Sequence, residues 1–158
     1  MIRQAVILAA GKGKRLNHSD PKPLVEVSGR PLIEHPIKKL LEKGVEVAVV
    51  ISPRDEPAFR ESLKNYKIKY LHQDQPLGTA HALFCARDFV KDDLFLVLMG
   101  DDRVTDFDSI LQEKAPTVFG FEVEDVSSLG NIVSDPKGNF IEILEKKSKG
   151  KGLANTGV

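Results

Sequence analysis

The stretch AVILAAGKGKRL, residues 5–16, decides the fold. Ala5 to Ala9 is continuously apolar and is closed by Gly11, the pattern of a short strand buried on both faces of a parallel sheet. Open α/β sheets collect ligands at the carboxyl ends of their strands, where this turn falls. Ala10, Gly11 and Gly13 offer backbone that a phosphate chain can approach closely, with amides free to donate to it. Arg15 follows at once, and Lys22 is pinned between Pro21 and Pro23. A bare G-x-G also reads as an ordinary strand-to-helix turn. The added cations, one of them fixed between two prolines, tilt the reading toward a triphosphate-handling loop. It is not a Walker A loop, because Leu8 stands where a glycine is needed and no Ser or Thr follows a Gly-Lys pair. It is not the dinucleotide fingerprint either, because Leu16 occupies the third glycine position.

Outward from this loop the chain alternates. Leu24 to Val27 reads as a brief extended piece, and Pro31 as the opening of a helix carrying Ile33, Ile37, Leu40 and Leu41, with Pro36 at its start or at a bend. Val45 to Ile51 is a second strand. Asp55 to Tyr66 is a polar helix, Ile68 to Leu71 a third strand, and Thr79 to Phe89 a helix capped by Thr79. Leu94 to Met99 is the most apolar strand, which predicts a central position. Phe107 to Glu113 is a further helix. Beyond it, Thr117 to Glu122 reads as a strand, and Asn131 to Ser134 with Asn139 to Glu145 as a hairpin about Asp135-Pro-Lys-Gly138. The expectation is an α/β fold: a Rossmann-like three-layer sandwich with a mostly parallel central sheet and a small β-hairpin region near the C-terminus. Residues 1–158 read as a single domain, with 1–113 a nucleotide-binding part and 114–158 an incomplete sugar-binding part. The mixture Leu153 to Val158 resembles the start of a strand, so the chain is expected to be a piece of a longer one.

Composition excludes several classes. Lys plus Arg and Asp plus Glu balance at 23 each, so no net field favours nucleic acid or a membrane surface. The single cysteine, Cys85, rules out an internal disulfide and suits a reducing compartment. The apolar run at residues 5–10 is too short to span a membrane, and the cytoplasm is the expected location. His18, His35, His72 and His81 share no metal-ligand spacing.

Two further segments carry chemistry. Asp101 and Asp102 end the most apolar strand, facing the same crevice as the first loop. An Asp there serves equally as a turn former or as a ligand for Mg²⁺, and beside a phosphate loop the metal reading leads, with Asp101 ahead of Asp102. Gln73 offers a donor and an acceptor that suit a nucleobase edge. Gly78 permits close backbone approach, and Thr79 begins a helix with free amides. Taken alone, that segment is a turn and a helix cap.

Together these residues resemble the nucleotidyltransferase domain of the sugar-1-phosphate nucleotidyltransferases, the nucleotide-sugar pyrophosphorylases. The resemblance runs through LAAGKGKRL, PKPLVEVSGRPLIEH, QDQPLGTAHAL, LVLMGDD, LGNIV, ILEK and NTGV in the family's order. It implies transfer of a nucleotidyl group from an NTP to a sugar 1-phosphate, with Mg²⁺ and release of pyrophosphate. It assigns the triphosphate to Gly11, Gly13, Arg15 and Lys22, the base to Gln73, Gly78 and Thr79, and Mg²⁺ to Asp101. Gly130, Glu145, Asn155, Lys146 and Gly157 are assigned to the sugar phosphate by the resemblance alone. UTP or dTTP, with glucose 1-phosphate or N-acetylglucosamine 1-phosphate, are the expected substrates. The alternative is a non-catalytic nucleotide-sugar-binding or regulatory homologue. A cytidylyltransferase acting on an alcohol phosphate would share the first loop but not the GTAHA and NTG elements. The sequence leaves a homo-oligomer open. Lys14 departs from the Thr or Ser common in the family. The family's second carboxylate for Mg²⁺ comes from a later segment, so this chain is expected to bind NTP yet turn over poorly or not at all.

Overall fold

The computed structural model describes residues 1–11, 21–102 and 104–157. The described residues form two compact units, Met1–Ala115 and Pro116–Val158.

In the first unit, four parallel strands make the central sheet: β1 (Gln4–Leu8), β4 (Glu46–Ile51), β5 (Lys69–His72) and β6 (Leu96–Met99), in the order β5-β4-β1-β6. A two-stranded ribbon, β2 (Glu26–Val27) with β3 (Arg30–Pro31), stands apart from it. Ser28 and Gly29 join that ribbon, both at positive φ (56° and 75°), as a tight hairpin turn requires. Pro31 is therefore an edge-strand residue, not the helix opener its position predicts. Helix α1 (Glu34–Glu42) begins three residues later and takes Pro36 into its first turn, where a missing N–H removes no helical hydrogen bond.

Both faces of the sheet are covered. Val6, Leu8, Ala48 and Val50 pack with Ala82, Ala86 and Phe89, from α3 (Thr79–Phe84) and the turns after it. Cys85 is half-buried against this cluster. The alternate residues Ala5, Ile7, Val47, Val49 and Ile51 point the other way and are just as buried, while α1 packs on β4. Helix α2 (Glu56–Ser62), shorter than its polar run predicts, buries Phe59.

β6 is not central as its apolarity predicts: it ends the four-stranded sheet, and its residues alternate between buried and half-buried. The inner strands are β1 and β4. A continuous apolar run reports burial on both faces and does not report sheet position, which the crossovers set. From β1 the chain winds outward through β4 to β5, then returns to place β6 on the far side of β1. The winding reverses between β1 and β6, the switch point at which open α/β sheets form a crevice.

After α4 (Phe107–Ile110), whose first turn is capped by Asp106 accepting from Ser109 N–H at 3.0 Å, the second unit is all β. Its strands β7 (Gly120–Val123), β8 (Gly130–Ser134), β9 (Phe140–Glu145) and β10 (Gly152–Asn155) form an antiparallel sheet in the order β7-β10-β8-β9. The predicted hairpin is β8–β9, and β7 and β10 extend it to four strands.

Candidate active site

Three backbone hydrogen bonds carry the sheet pairing past the strand ends. Ala9 N–H donates to Val50 O at 2.8 Å, Gly100 N–H to Leu8 O at 2.8 Å, and Gln73 N–H to Ile51 O at 2.9 Å. The loops after β1, β6 and β5 are thereby tied to one edge of the sheet. They line a cavity of about 490 Å³ that includes Ala9, Ala10, Gly11, Lys22, Gln73, Gly78, Thr79 and Asp101. Residues as distant in the chain as Ala9 and Asp101 share one cleft because parallel strands end together. Arg15 and Gly13, with Lys14, lie outside the described residues.

Lys22 sits in a 3-10 turn fixed by Leu24 N–H donating to Pro21 O (2.8 Å), with Pro23 and Leu24 buried beneath it. Its Nζ forms an ion pair with Asp101 Oδ2. The two side chains keep 44% and 31% of their surface exposed, so the pair contributes at most about 1 kcal/mol and separates readily for a ligand. Gly100, to which the sequence assigns no role, precedes Asp101 in a closely packed position. A Cβ there would lie 3.0 Å from Ala9 Cβ and 3.2 Å from both Leu8 O and Pro23 Cγ. A side chain at this position would require these neighbours to give by a few tenths of an ångström.

Among the described residues no three His, Cys, Asp or Glu side chains converge. A metal in this cleft would accordingly rest on the Asp101 carboxylate, with phosphate oxygens and water completing its shell. Mg²⁺ accepts that donor set, and Asp101 fits it.

Asp102 has a different environment. Burial, then the neighbouring Asp101 charge, push its carboxyl up to about 6, against a smaller opposing effect of Lys22. A carboxyl with a raised folded-state pKa stabilises the fold below its unfolded value near 4, and that stability is lost as pH rises through about 6. Asp102→Asn, which removes the charge, is expected to leave stability at pH 4 unchanged. At pH 8 it should add about 1–2 kcal/mol, allowing for partial solvent contact. Thermal melts in chelator at both pH values check this, and an equal effect at both would refute it.

On the opposite wall Gln73 is buried, 5% exposed. Its Nε2 donates to Gly78 O at 3.0 Å and stands 3.0 Å from His81 Nδ1. Gly78 adopts φ 106°, ψ 177°, a conformation restricted essentially to glycine, and is itself the N-cap of α3. Thr79 is therefore the first helical residue and makes no side-chain cap, contrary to its predicted role. The Gly78 turn places the hydroxyl inside the helix rather than ahead of it.

In the second unit, Gly130 pairs with Glu145 across β8 and β9, and Ala154 pairs with Asn131. A Cβ on Gly130 would lie 2.8 Å from Glu145 Oε2 and 3.7 Å from Asn155 Cβ, so these three residues meet at one end of the antiparallel sheet. Lys146 follows in the left-handed region (φ 53°), held by its N–H donating to Leu129 O at 3.1 Å. Gly157, at φ 81°, donates its N–H to Asn155 Oδ1 at 3.2 Å.

A parallel sheet with a cleft of about 490 Å³ at its switch point is the architecture of an open α/β protein with a ligand-sized site. The profile of the Nucleotidyl transferase family matches residues 4–158, and the chain belongs to that family. It is 36% identical over 152 residues to the bifunctional protein GlmU of Syntrophomonas wolfei, covering 90% of this chain and 34% of that protein. The chain thus spans about a third of the length of that curated relative. Among solved structures, it resembles HddC from Yersinia pseudotuberculosis complexed with GMP-PN (TM-score 0.79, 27% identity). That match covers 99% of this chain and 75% of the other. It also resembles a putative glucose-1-phosphate thymidylyltransferase from Bacillus anthracis in complex with a sucrose (TM-score 0.83, 26% identity), covering 98% and 69%.

Proposed function

We propose that this chain provides the NTP-binding and nucleotidyl-transfer site of a sugar-1-phosphate nucleotidyltransferase, with UTP or dTTP as donor. Glucose 1-phosphate or N-acetylglucosamine 1-phosphate is the acceptor. The observation that carries the reading is one cleft at the β1/β6 switch point lined by the Gly11 loop, the Lys22–Asp101 pair and the Gln73–Gly78 arm.

The acceptor phosphate already bears an ionised oxygen, so no general base is needed. That oxygen attacks the α-phosphorus, the bond to the β-phosphate oxygen breaks, and the electron pair leaves with pyrophosphate. The protein's work is alignment and charge neutralisation. Backbone at Ala10 and Gly11 receives the phosphates, with Gly13 and Arg15 completing the loop in the sequence-based reading. Lys22 exchanges Asp101 for phosphate oxygens. Mg²⁺ held by Asp101 would supply charge screening between the two anions. Gln73, Gly78 and Thr79 receive the base. Gly130, Glu145 and Asn155, with Lys146 and Gly157, receive the sugar phosphate. The proposed location of such a reaction is the cytoplasm. Among the described residues no helix is long and apolar enough to cross a membrane.

The test is pyrophosphate release by the full-length gene product across a grid of NTPs and sugar 1-phosphates, alongside NTP-induced shifts in the melting temperature of this chain. Release with a uridine or thymidine donor supports the reading. A melting shift without release in any combination favours the non-catalytic nucleotide-binding alternative.

A further inference from the structure

The Gln73 amide is held by both of its protons. Gly78 O can only accept, so the nitrogen of the amide, not its oxygen, must face it (3.0 Å). The same nitrogen stands 3.0 Å from His81 Nδ1, a geometry satisfied when that ring nitrogen carries no proton and accepts. Oε1 is then the remaining polar atom of the side chain, and among the described residues nothing donates to it. Oε1 is thus the polar atom of Gln73 left without a described donor, in a residue that lines the cleft. A carboxamide, able in general to donate or accept, is here fixed as an acceptor.

We propose that His81 is a positioning residue for base selection. With the Gly78 carbonyl it locks the Gln73 amide so that Oε1 alone meets the ligand, favouring a base edge with a ring N–H over one with a bare ring nitrogen. Uracil and thymine carry that N–H. Cytosine presents a lone pair at the same ring position and can donate only from its exocyclic amine, one position away. The inference rests on the nucleotide-binding reading above. His81 is half-buried on the first turn of α3, so its replacement leaves the core cluster of Ala82, Ala86 and Phe89 in place.

The experiment is calorimetric titration of UTP and CTP into the wild-type chain and into His81→Ala, His81→Leu, His81→Asn and Gln73→Ala, each checked by thermal melting. Wild type is expected to bind UTP more tightly. His81→Ala loses one of two hydrogen bonds orienting the amide, so the CTP/UTP ratio of Kd values should fall about fivefold. His81→Leu, which keeps much of the side-chain volume, should do the same and serves if the alanine variant does not fold. His81→Asn places Oδ1 near the position of Nδ1 and should restore the wild-type ratio, which loss of packing alone would not predict. Gln73→Ala should abolish the preference. A wild-type chain that binds neither nucleotide defeats the nucleotide-binding reading and this inference with it. Equal wild-type affinities, a CTP preference, an unchanged ratio in His81→Ala and His81→Leu, or no rescue by His81→Asn would overturn the role of His81 alone.

Discussion

In the full-length gene product, Asp101→Asn is expected to lower pyrophosphate release by about 10²–10³-fold, on the scale of losing one preorganised charge-stabilising group in a closed site. The substitution keeps the shape of the side chain and removes its charge. The Asp101 side chain is 31% exposed and is not among the buried core residues, so the fold should survive. The variant should also separate two effects that the Lys22–Asp101 pair joins. With metal absent, the neutral amide no longer competes for the ammonium of Lys22, so NTP in chelator should stabilise the variant at least as well as it does the wild type. With Mg²⁺ present, the wild type should gain the larger shift in melting temperature. Rates within a few-fold of wild type would remove Asp101 from the reaction. A loss of metal-free NTP binding would show instead that the carboxylate shapes the cleft.

The second large effect is expected at Gly130. Gly130→Ala places a methyl group 2.8 Å from both Glu145 Oε2 and Ile143 Cγ2. Both groups must give: the Glu145 carboxylate can swing aside, while Ile143 Cγ2, on a branched side chain of the sheet, has to shift with its strand, so thermal melting of the variant accompanies the kinetics. If that carboxylate holds the sugar, one charged hydrogen bond is lost, and KM for the sugar 1-phosphate should rise about 10–100-fold. Kd for the NTP should not move, because every residue assigned to the nucleotide lies in the first unit. Steady-state kinetics in sugar phosphate and titration of NTP read the two separately. A parallel rise in both constants would argue for general destabilisation, and no change in either would take Glu145 out of the sugar site.

Much of this architecture is legible from local pattern. The β1 strand and its glycine turn are written in one apolar run, and the β8–β9 hairpin in its Pro-Lys-Gly turn. Side-chain chemistry likewise points to Lys22, Gln73 and Asp101 as groups with work to do. Other features have no local signature. β6 is as apolar as an inner strand yet ends its sheet, because apolarity measures burial while order depends on which way each crossover winds. Thr79 looks like a cap, yet the positive φ of Gly78 gives that position to the glycine. Gly100 is one glycine among many until Ala9, Leu8 and Pro23 close around its Cα.

The sequence by itself determined the secondary-structure alternation, the polar groups available and the family to which they belong. Only the tertiary structure decided that Lys22 meets Asp101, that Gly130, Glu145 and Asn155 converge, and that the Gln73 amide nitrogen meets Gly78 O and His81 Nδ1. The reason is physical. Strand and turn preferences act over a few residues and survive in a local reading. A hydrogen bond between Gln73 and His81, or an ion pair across 79 positions, exists only after sheet order and loop closure have brought the partners together.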